Sequence, residues 1–322
     1  MADTIRCDLA LEARELLVQK NGEDTQTEGV FVETENKSQY INITRVRVTN
    51  EEGEKSLGKK QGNYVTVEMP ARFYGEQKIY EEMCKACAKE LKSLTDKFLK
   101  TPDDTVLVVG LGNWNITADA LGPKVVSALM ITRHLKKYIP HEIDEGIRPV
   151  CAVSPGVLGI TGIETGEIVM GLTEQIKPNL IIAVDALCSR KVERINTTIQ
   201  FSDTGITPGA GVGNKRMSID KETLNVPVIA IGVPTVVDAA TIAGDAMTQV
   251  FQKTDEKNAL TQMDEHERYS FIKETITPTF GNFIVAPKEV DTIIDDISRV
   301  IANSINISLH QGITLNDIDR YV

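Results

Sequence analysis

The chain has 322 residues, 41% of them hydrophobic and 25% charged, and a formal net charge of −11. It is long enough to bury a sizeable core, and its acidic balance argues against generic nucleic-acid binding, which needs a basic face. No N-terminal apolar leader pattern and no bilayer-length apolar run are present, so the expectation is a chain neither secreted nor membrane-spanning.

Taken in order, Leu9, Glu12, Ala13, Leu16 and Leu17 have helical spacing and predict a short amphipathic helix. Residues 29–33, 41–49 and 64–68 alternate or cluster β-formers and predict strands added antiparallel to a main sheet. Between the last two, residues 50–62 mix charge signs, including Glu51, Glu54, Lys55, Lys59 and Lys60, and read as a solvated hairpin loop. A helix is predicted over 78–99. It contains Cys84-Lys-Ala-Cys87, a lone CxxC with no second pair and no nearby His. The five cysteines (Cys7, Cys84, Cys87, Cys151 and Cys188) form no regular framework and fit thiols in a reducing compartment better than zinc or disulfides.

An α/β pattern follows, built around the stretch from Thr105 to Gly122. Val106 to Val109 is a short apolar run with the look of a strand buried on both faces. Gly110 and Gly112 break it, and a helix is predicted over 119–137 with Asp119 in its first turn, where the macrodipole favours an anion. Residues 180–184 repeat the placement, a buried strand with Asp185 at its carboxyl end. Ligands of open α/β sheets bind at that rim, so two parallel strands could bring the two carboxylates together. Further strands are predicted over 149–153, 197–201 and 226–231, and helices over 164–176 and 236–250, the latter with Asp238 in its first turn. An acidic helical section and a final helix over 289–309 close the chain. Alternating buried strands and helices imply a mostly parallel sheet flanked by helices.

Other chemistry has little support. Gly110-x-Gly112 would need a third glycine at 115, which is Asn, and no acidic residue ends the next strand, so a dinucleotide site is disfavoured. The glycine-rich stretch 205–216 ends in Lys215-Arg216 without a P-loop ending, which favours a flexible or substrate-contacting loop. His134, His141, His266 and His310 share no metal spacing, there is no Gly-x-Ser-x-Gly elbow, and no His is placed beside Cys151 or Cys188. The carboxylates remain. Two in close contact resist ionising together, so one holds a proton near neutrality. The ionised member can activate water while the protonated one donates to a carbonyl. The same two residues could equally ligate a metal.

Gly110-Leu-Gly-Asn-Trp-Asn-Ile-Thr-Ala-Asp-Ala-Leu-Gly-Pro123, Val184-Asp-Ala-Leu187, the stretch 204–216, Gly232-Val-Pro-Thr-Val-Val-Asp-Ala239 and the N-terminal stretch 6–15 resemble the germination protease family of spore-forming Firmicutes. The glycine and Asp arrangement is also similar to hydrogenase-maturation endopeptidases, which implies a phosphorylase/hydrolase-like α/β fold. The resemblance implies an atypical aspartic endopeptidase, free of cofactor and metal, that degrades small acid-soluble spore proteins in the spore core. It also implies a homotetrameric zymogen that removes its own N-terminal propeptide. Asp119 and Asp185 take the catalytic positions. The family's preference for cutting after an acidic residue and before an apolar residue followed by Ala fits Asp8-Leu9-Ala10. This makes residues 1–8 a propeptide and 9–322 a single protease domain, with a strand-rich section at about 29–70, a core at about 100–253 and a helical section at about 254–322. An acidic side chain before the cut suggests a basic contact from Arg190, Lys215 or Arg216. A pair that must hold a proton should process itself faster as pH falls from neutral. The alternatives are a metal-dependent peptidase of the hydrogenase-maturation type using the same carboxylates, and a tetrameric binding protein in which the Asp pair is structural.

Overall fold

The computed structural model describes residues 8–21, 27–69, 76–208, 216–254, 263, 265–281 and 283–318. Among them the strands β1 (Val30–Asn36), β2 (Asn42–Val48), β3 (Gly62–Glu68), β4 (Val106–Gly110), β5 (Val150–Val153), β6 (Leu180–Ser189), β7 (Thr198–Ser202), β8 (Val228–Asp238) and β9 (Ile284–Val285) form one sheet. Its order is β1-β2-β3-β7-β8-β6-β4-β5, with β9 pairing β8. The strands β5, β4, β6 and β8 run parallel. Antiparallel pairing through β7 then attaches the three N-terminal strands. The helices are α1 (Ala10–Asn21), α2 (Glu51–Leu57), α3 (Gln77–Thr95), α4 (Leu121–Ser127), α5 (Arg133–Tyr138), α6 (Thr165–Ile176), α7 (Ala239–Thr254), α8 (Glu265–Phe280) and α9 (Val290–Leu309). Single turns lie at Leu158–Thr161, Lys221–Leu224 and Leu315–Ile318. This is the α/β architecture that the alternating pattern predicts.

The apolar run of β4 is buried on both faces, as its composition requires. Val106 and Val108 pack with Met83, Cys84, Cys87 and Leu91 of α3 and with Ile297, Ile301 and Ile305 of α9. Leu107 and Val109 face the opposite layer, with Val169 of α6 and Ile219. Cys84 and Cys87 are therefore core residues, and burial raises both thiols above their usual range. No helix among the described residues is long and apolar enough to cross a membrane.

Four sequence expectations are corrected. The helix expected over 119–137 is a 3-10 turn at Thr117–Asp119 followed by α4 and α5. Between these helices Met130 N donates to Asn306 Oδ1 at 3.1 Å and Thr132 Oγ1 accepts from Val150 N at 2.9 Å, so bonds to other elements replace helical ones. β6 does not stop at Val184. It continues beside β8 to Ser189, so Asp185 lies inside a strand, one residue beyond the end of its neighbour β4. β8 likewise runs through Asp238, whose carboxylate accepts from Ala240 N at 2.9 Å at the mouth of α7. Residues 50–62 are not a simple loop. Asn50 caps α2 by accepting from Gly53 N at 2.8 Å, and only the turn after that helix leads into β3. Most of the glycine-rich stretch, residues 209–215, lies outside the described residues.

Candidate active site

β4 is flanked by β5, which follows it in the chain, and by β6 on its other side. The connections after β4 and β6 therefore leave in opposite directions, and a crevice opens at their carboxyl ends. A cavity of about 750 Å³ sits over this rim, and its lining includes Asp8, Lys59, Asp119, Asp185, Cys188 and Gln200.

Asp185 is placed by sheet register. It pairs with Gly232 of β8, which in turn pairs with Gln200 of β7, so one row across three strands carries a carboxylate, no side chain and an amide. The gap is needed, because a Cβ on Gly232 would meet Leu187 Cδ1 at 2.3 Å. Asp119 arrives from the other direction, at the end of the 3-10 turn that follows β4. Its Oδ2 accepts from Asn113 N at 2.8 Å. Thr235 Oγ1 donates to Ala118 O at 2.7 Å and ties this turn to β8. Gly112, at φ +110°, lets the backbone pass close to that turn; a Cβ there would meet Asp119 O at 2.0 Å. The Gly-x-Gly of the sequence thus serves a close backbone approach rather than a nucleotide.

The electrostatics are unusual for carboxylates. Asp185 is only 7% exposed and accepts from Ala186 N at 2.9 Å. Burial, reinforced by the charges of Asp119 and Asp8, pushes its pKa up to about 8, against the smaller opposing effects of that hydrogen bond and of Arg216. Burial also raises Asp119, opposed by the Asn113 N–H and by Arg216. At neutral pH such a pair retains a proton, which belongs to the pair rather than to one member. Arrangements of this kind can supply both an acid and a base.

The N-terminal segment enters the same cavity. Asp8 Oδ2 accepts from Cys188 N at 2.9 Å and Asp8 O accepts from Lys59 Nζ at 2.9 Å. Leu9 is fully buried, and Ala10 N donates to Gln200 Oε1 at 2.6 Å. Glu12, on the first turn of α1, accepts from Ser189 Oγ at 2.9 Å, Arg190 N at 3.0 Å and Lys191 N at 3.1 Å. Arg194 lies 3.6 Å from it and pairs with Glu15 at 2.5 Å. The Asp8–Leu9 peptide is therefore held from both sides just before α1.

The structure brings Asp8, Asp119 and Asp185 together in the lining of one cavity, with Leu9 buried next to Asp8 in the chain. Of the three basic residues offered as contacts for the acidic side chain, Arg216 influences both Asp119 and Asp185. Arg190 instead lines a smaller cavity with Asp245, Arg268 and Tyr269, while Lys215 lies outside the described residues. The contact that Asp8 does make, the backbone N–H of Cys188, left no sequence signal because any residue could supply it. Gln200 and Lys59 were missed too. Gln200 looks like an ordinary polar residue within a strand, and Lys59 sits among mixed charges whose sum suggests only solvation.

A sequence profile described as germination protease matches residues 10–259 and 253–322. Germination proteases of Clostridium tetani and Clostridium acetobutylicum are 51% and 50% identical, each alignment covering 99% of both chains. That of Bacillus velezensis is 42% identical, covering 98% of this chain and 96% of its own. A solved NiFe hydrogenase maturation protease from Thermococcus kodakarensis is 16% identical over 67% of this chain and 98% of that one, at a TM-score of 0.32, too remote to bear on function. With a profile and relatives that span nearly its whole length, the chain belongs to the germination protease family.

Proposed function

We propose that the chain is a self-processing aspartic-type endopeptidase in which Asp119 and Asp185 activate water against a peptide bond. The observation that carries this reading is that Asp8, whose carbonyl belongs to the Asp8–Leu9 bond, and both carboxylates line one cavity, with Asp185 buried, Asp119 half-buried and Arg216 opposing the rise of both. The ionised member removes a proton from water as its oxygen adds to the peptide carbonyl, and the protonated member returns one to the departing fragment. Residues 1–8 are then the propeptide and 9–322 the protease domain. While the Asp8–Leu9 bond is intact, Asp8 forms part of the cavity's lining, which puts the segment in competition with other chains for the site.

The sequence preference follows from the same contacts. The Cys188 N–H suits a carboxylate before the cut, the enclosed Leu9 position suits an apolar residue after it, and a small residue fits where Ala10 N meets Gln200. Family membership supports a role in spore germination. The substrates proposed are the small acid-soluble proteins of the spore core, and the working form is a homotetramer. Processed enzyme incubated with a small acid-soluble spore protein should cut after an acidic residue and before an apolar residue followed by Ala, and an Asp185→Asn chain should leave that substrate intact. Cuts at unrelated sequences, or cutting by Asp185→Asn, would contradict the assignment. A monomer at working concentration in sedimentation velocity would remove the tetramer alone.

A further inference from the structure

The carbonyl oxygen that would carry negative charge during cleavage of the Asp8–Leu9 bond already has a cation on it. Lys59 Nζ donates to Asp8 O at 2.9 Å. Its mount is firm. α2 is capped by Asn50, buries Gly53 and Leu57, and closes at Gly58, whose N–H donates to Glu54 O at 2.8 Å. The next residue, Lys60, turns elsewhere and pairs with Asp220 at 2.9 Å and Glu222 at 3.1 Å. Two adjacent lysines thus have separate tasks, and it is Lys59 that reaches the peptide carbonyl.

We propose that Lys59 is a catalytic residue for cleavage of the Asp8–Leu9 bond, its ammonium group stabilising the oxyanion that forms on the Asp8 carbonyl oxygen. The proposal rests on the reading that Asp119 and Asp185 direct water at this bond. As the water oxygen bonds to the carbonyl carbon, the π pair of the C=O moves onto oxygen, and one water proton passes to the ionised carboxylate. When the C=O re-forms, the C–N bond breaks, its electron pair stays on the Leu9 nitrogen, and that nitrogen takes a proton from the carboxylic acid. The products are a carboxyl group on Asp8 and an amine on Leu9. A hydrogen bond to the carbonyl strengthens as the oxygen gains charge, so it favours the transition state over the bound peptide. It also changes the division of labour. With Lys59 on the carbonyl oxygen, the protonated carboxyl is available for the leaving nitrogen.

The test uses the full chain and follows the first-order appearance of the Leu9 N-terminus by mass spectrometry. Lys59→Met should slow it by roughly 10²–10³-fold, the usual consequence of losing one oxyanion donor, and Lys59→Arg should recover most of that loss. Seating of the segment is read separately, by hydrogen exchange of residues 8–21 in chains that also carry Asp119→Asn. Equal protection with and without the Lys59→Met exchange in that background supports a transition-state role. Processing of Lys59→Met at the unsubstituted rate overturns the proposal, as does loss of protection, which would make Lys59 an anchor. An Asp119→Asn chain that still yields the Leu9 N-terminus would remove the carboxylate reading itself, and the role of Lys59 with it.

Discussion

Glu12 and Asp185 are buried carboxylates served by one chain segment, Asp185 from within β6 and Glu12 from the end of β6 and the two residues after it. Glu12 is 0% exposed, and three donors from Ser189, Arg190 and Lys191 converge on it with Arg194 nearby. Asp185 is 7% exposed, and among the described residues it accepts from the Ala186 N–H alone. The charges of two further carboxylates, those of Asp119 and Asp8, act on it more strongly than the opposing Arg216. Both groups are removed from water, but only one has that water replaced by protein dipoles. Burial by itself therefore does not mark a functional carboxylate; burial without compensating donors does. Glu12 fixes the N-terminal segment, whereas Asp185 lies in an environment that disfavours its charge, as the proposed chemistry requires.

The comparison is broken most severely by exchanging the carboxylates one at a time. Asp185→Asn should lower the self-processing rate by about 10⁴-fold or more, as expected when a member of a catalytic unit is removed, yet stabilise the fold. The sign follows from the proton. Burial and the neighbouring Asp119 push Asp185 in the folded chain up to about 8, far above its ordinary 3.8, so the folded state holds a proton that the unfolded chain releases between these values. The contribution of this group to stability is full below the lower value and is lost as pH rises through the upper one. The melting temperature of Asp185→Asn should accordingly exceed that of the unsubstituted chain by roughly 3 °C or more at pH values above 8, with the gap closing toward acid pH. An unchanged or lower melting temperature in alkaline buffer would show that Asp185 is as well compensated as Glu12.

Glu12→Ala is the opposite case. It removes the carboxylate that Ser189 Oγ, Arg190 N and Lys191 N share, while Ser189 Oγ keeps Lys191 O and Lys191 N keeps Ser189 Oγ, and should cost about 2 kcal/mol in urea unfolding. It should also slow self-processing, because the Asp8–Leu9 peptide loses its downstream hold. A loss below about 0.5 kcal/mol would place the anchoring elsewhere. The pH–rate profile sharpens the contrast further. The self-processing rate should fall along a limb centred near pH 8, the value to which the Asp185 environment drives the pair. A rate that is flat across that range would detach the raised pKa from the chemistry. The smallest effect is expected at Gln200. Exchange to Leu removes the acceptor for the buried Ala10 N and should slow processing by about tenfold at a stability cost of about 1 kcal/mol.

Much of this was legible in the chain. The four-residue apolar run at 106–109 and the longer one at 180–184 could only be strands covered on both faces, and they are. Asp119 and Asp185 stood out because each follows such a strand. What the sequence misplaced depended on partners elsewhere. Residues 119–137 have helical spacing throughout, but Asn306 and Val150 capture the backbone and side chain of residues 130–132 and divide the helix. β6 extends past Asp185 because β8 continues alongside it, which no local pattern reveals. Lys59 looked solvated because its partner is a backbone carbonyl about 50 residues away in sequence, and a carbonyl has no residue type to recognise.

The most direct test of the carboxylate account is N-terminal sequencing of the purified full chain after incubation at mildly acidic pH, with and without chelator. The account predicts a new N-terminus at Leu9 in both samples and none from Asp119→Asn or Asp185→Asn. Cleavage that stops with chelator and returns with added metal would contradict it and turn the same two residues into ligands, while a Leu9 N-terminus from either Asn variant would place the machinery elsewhere.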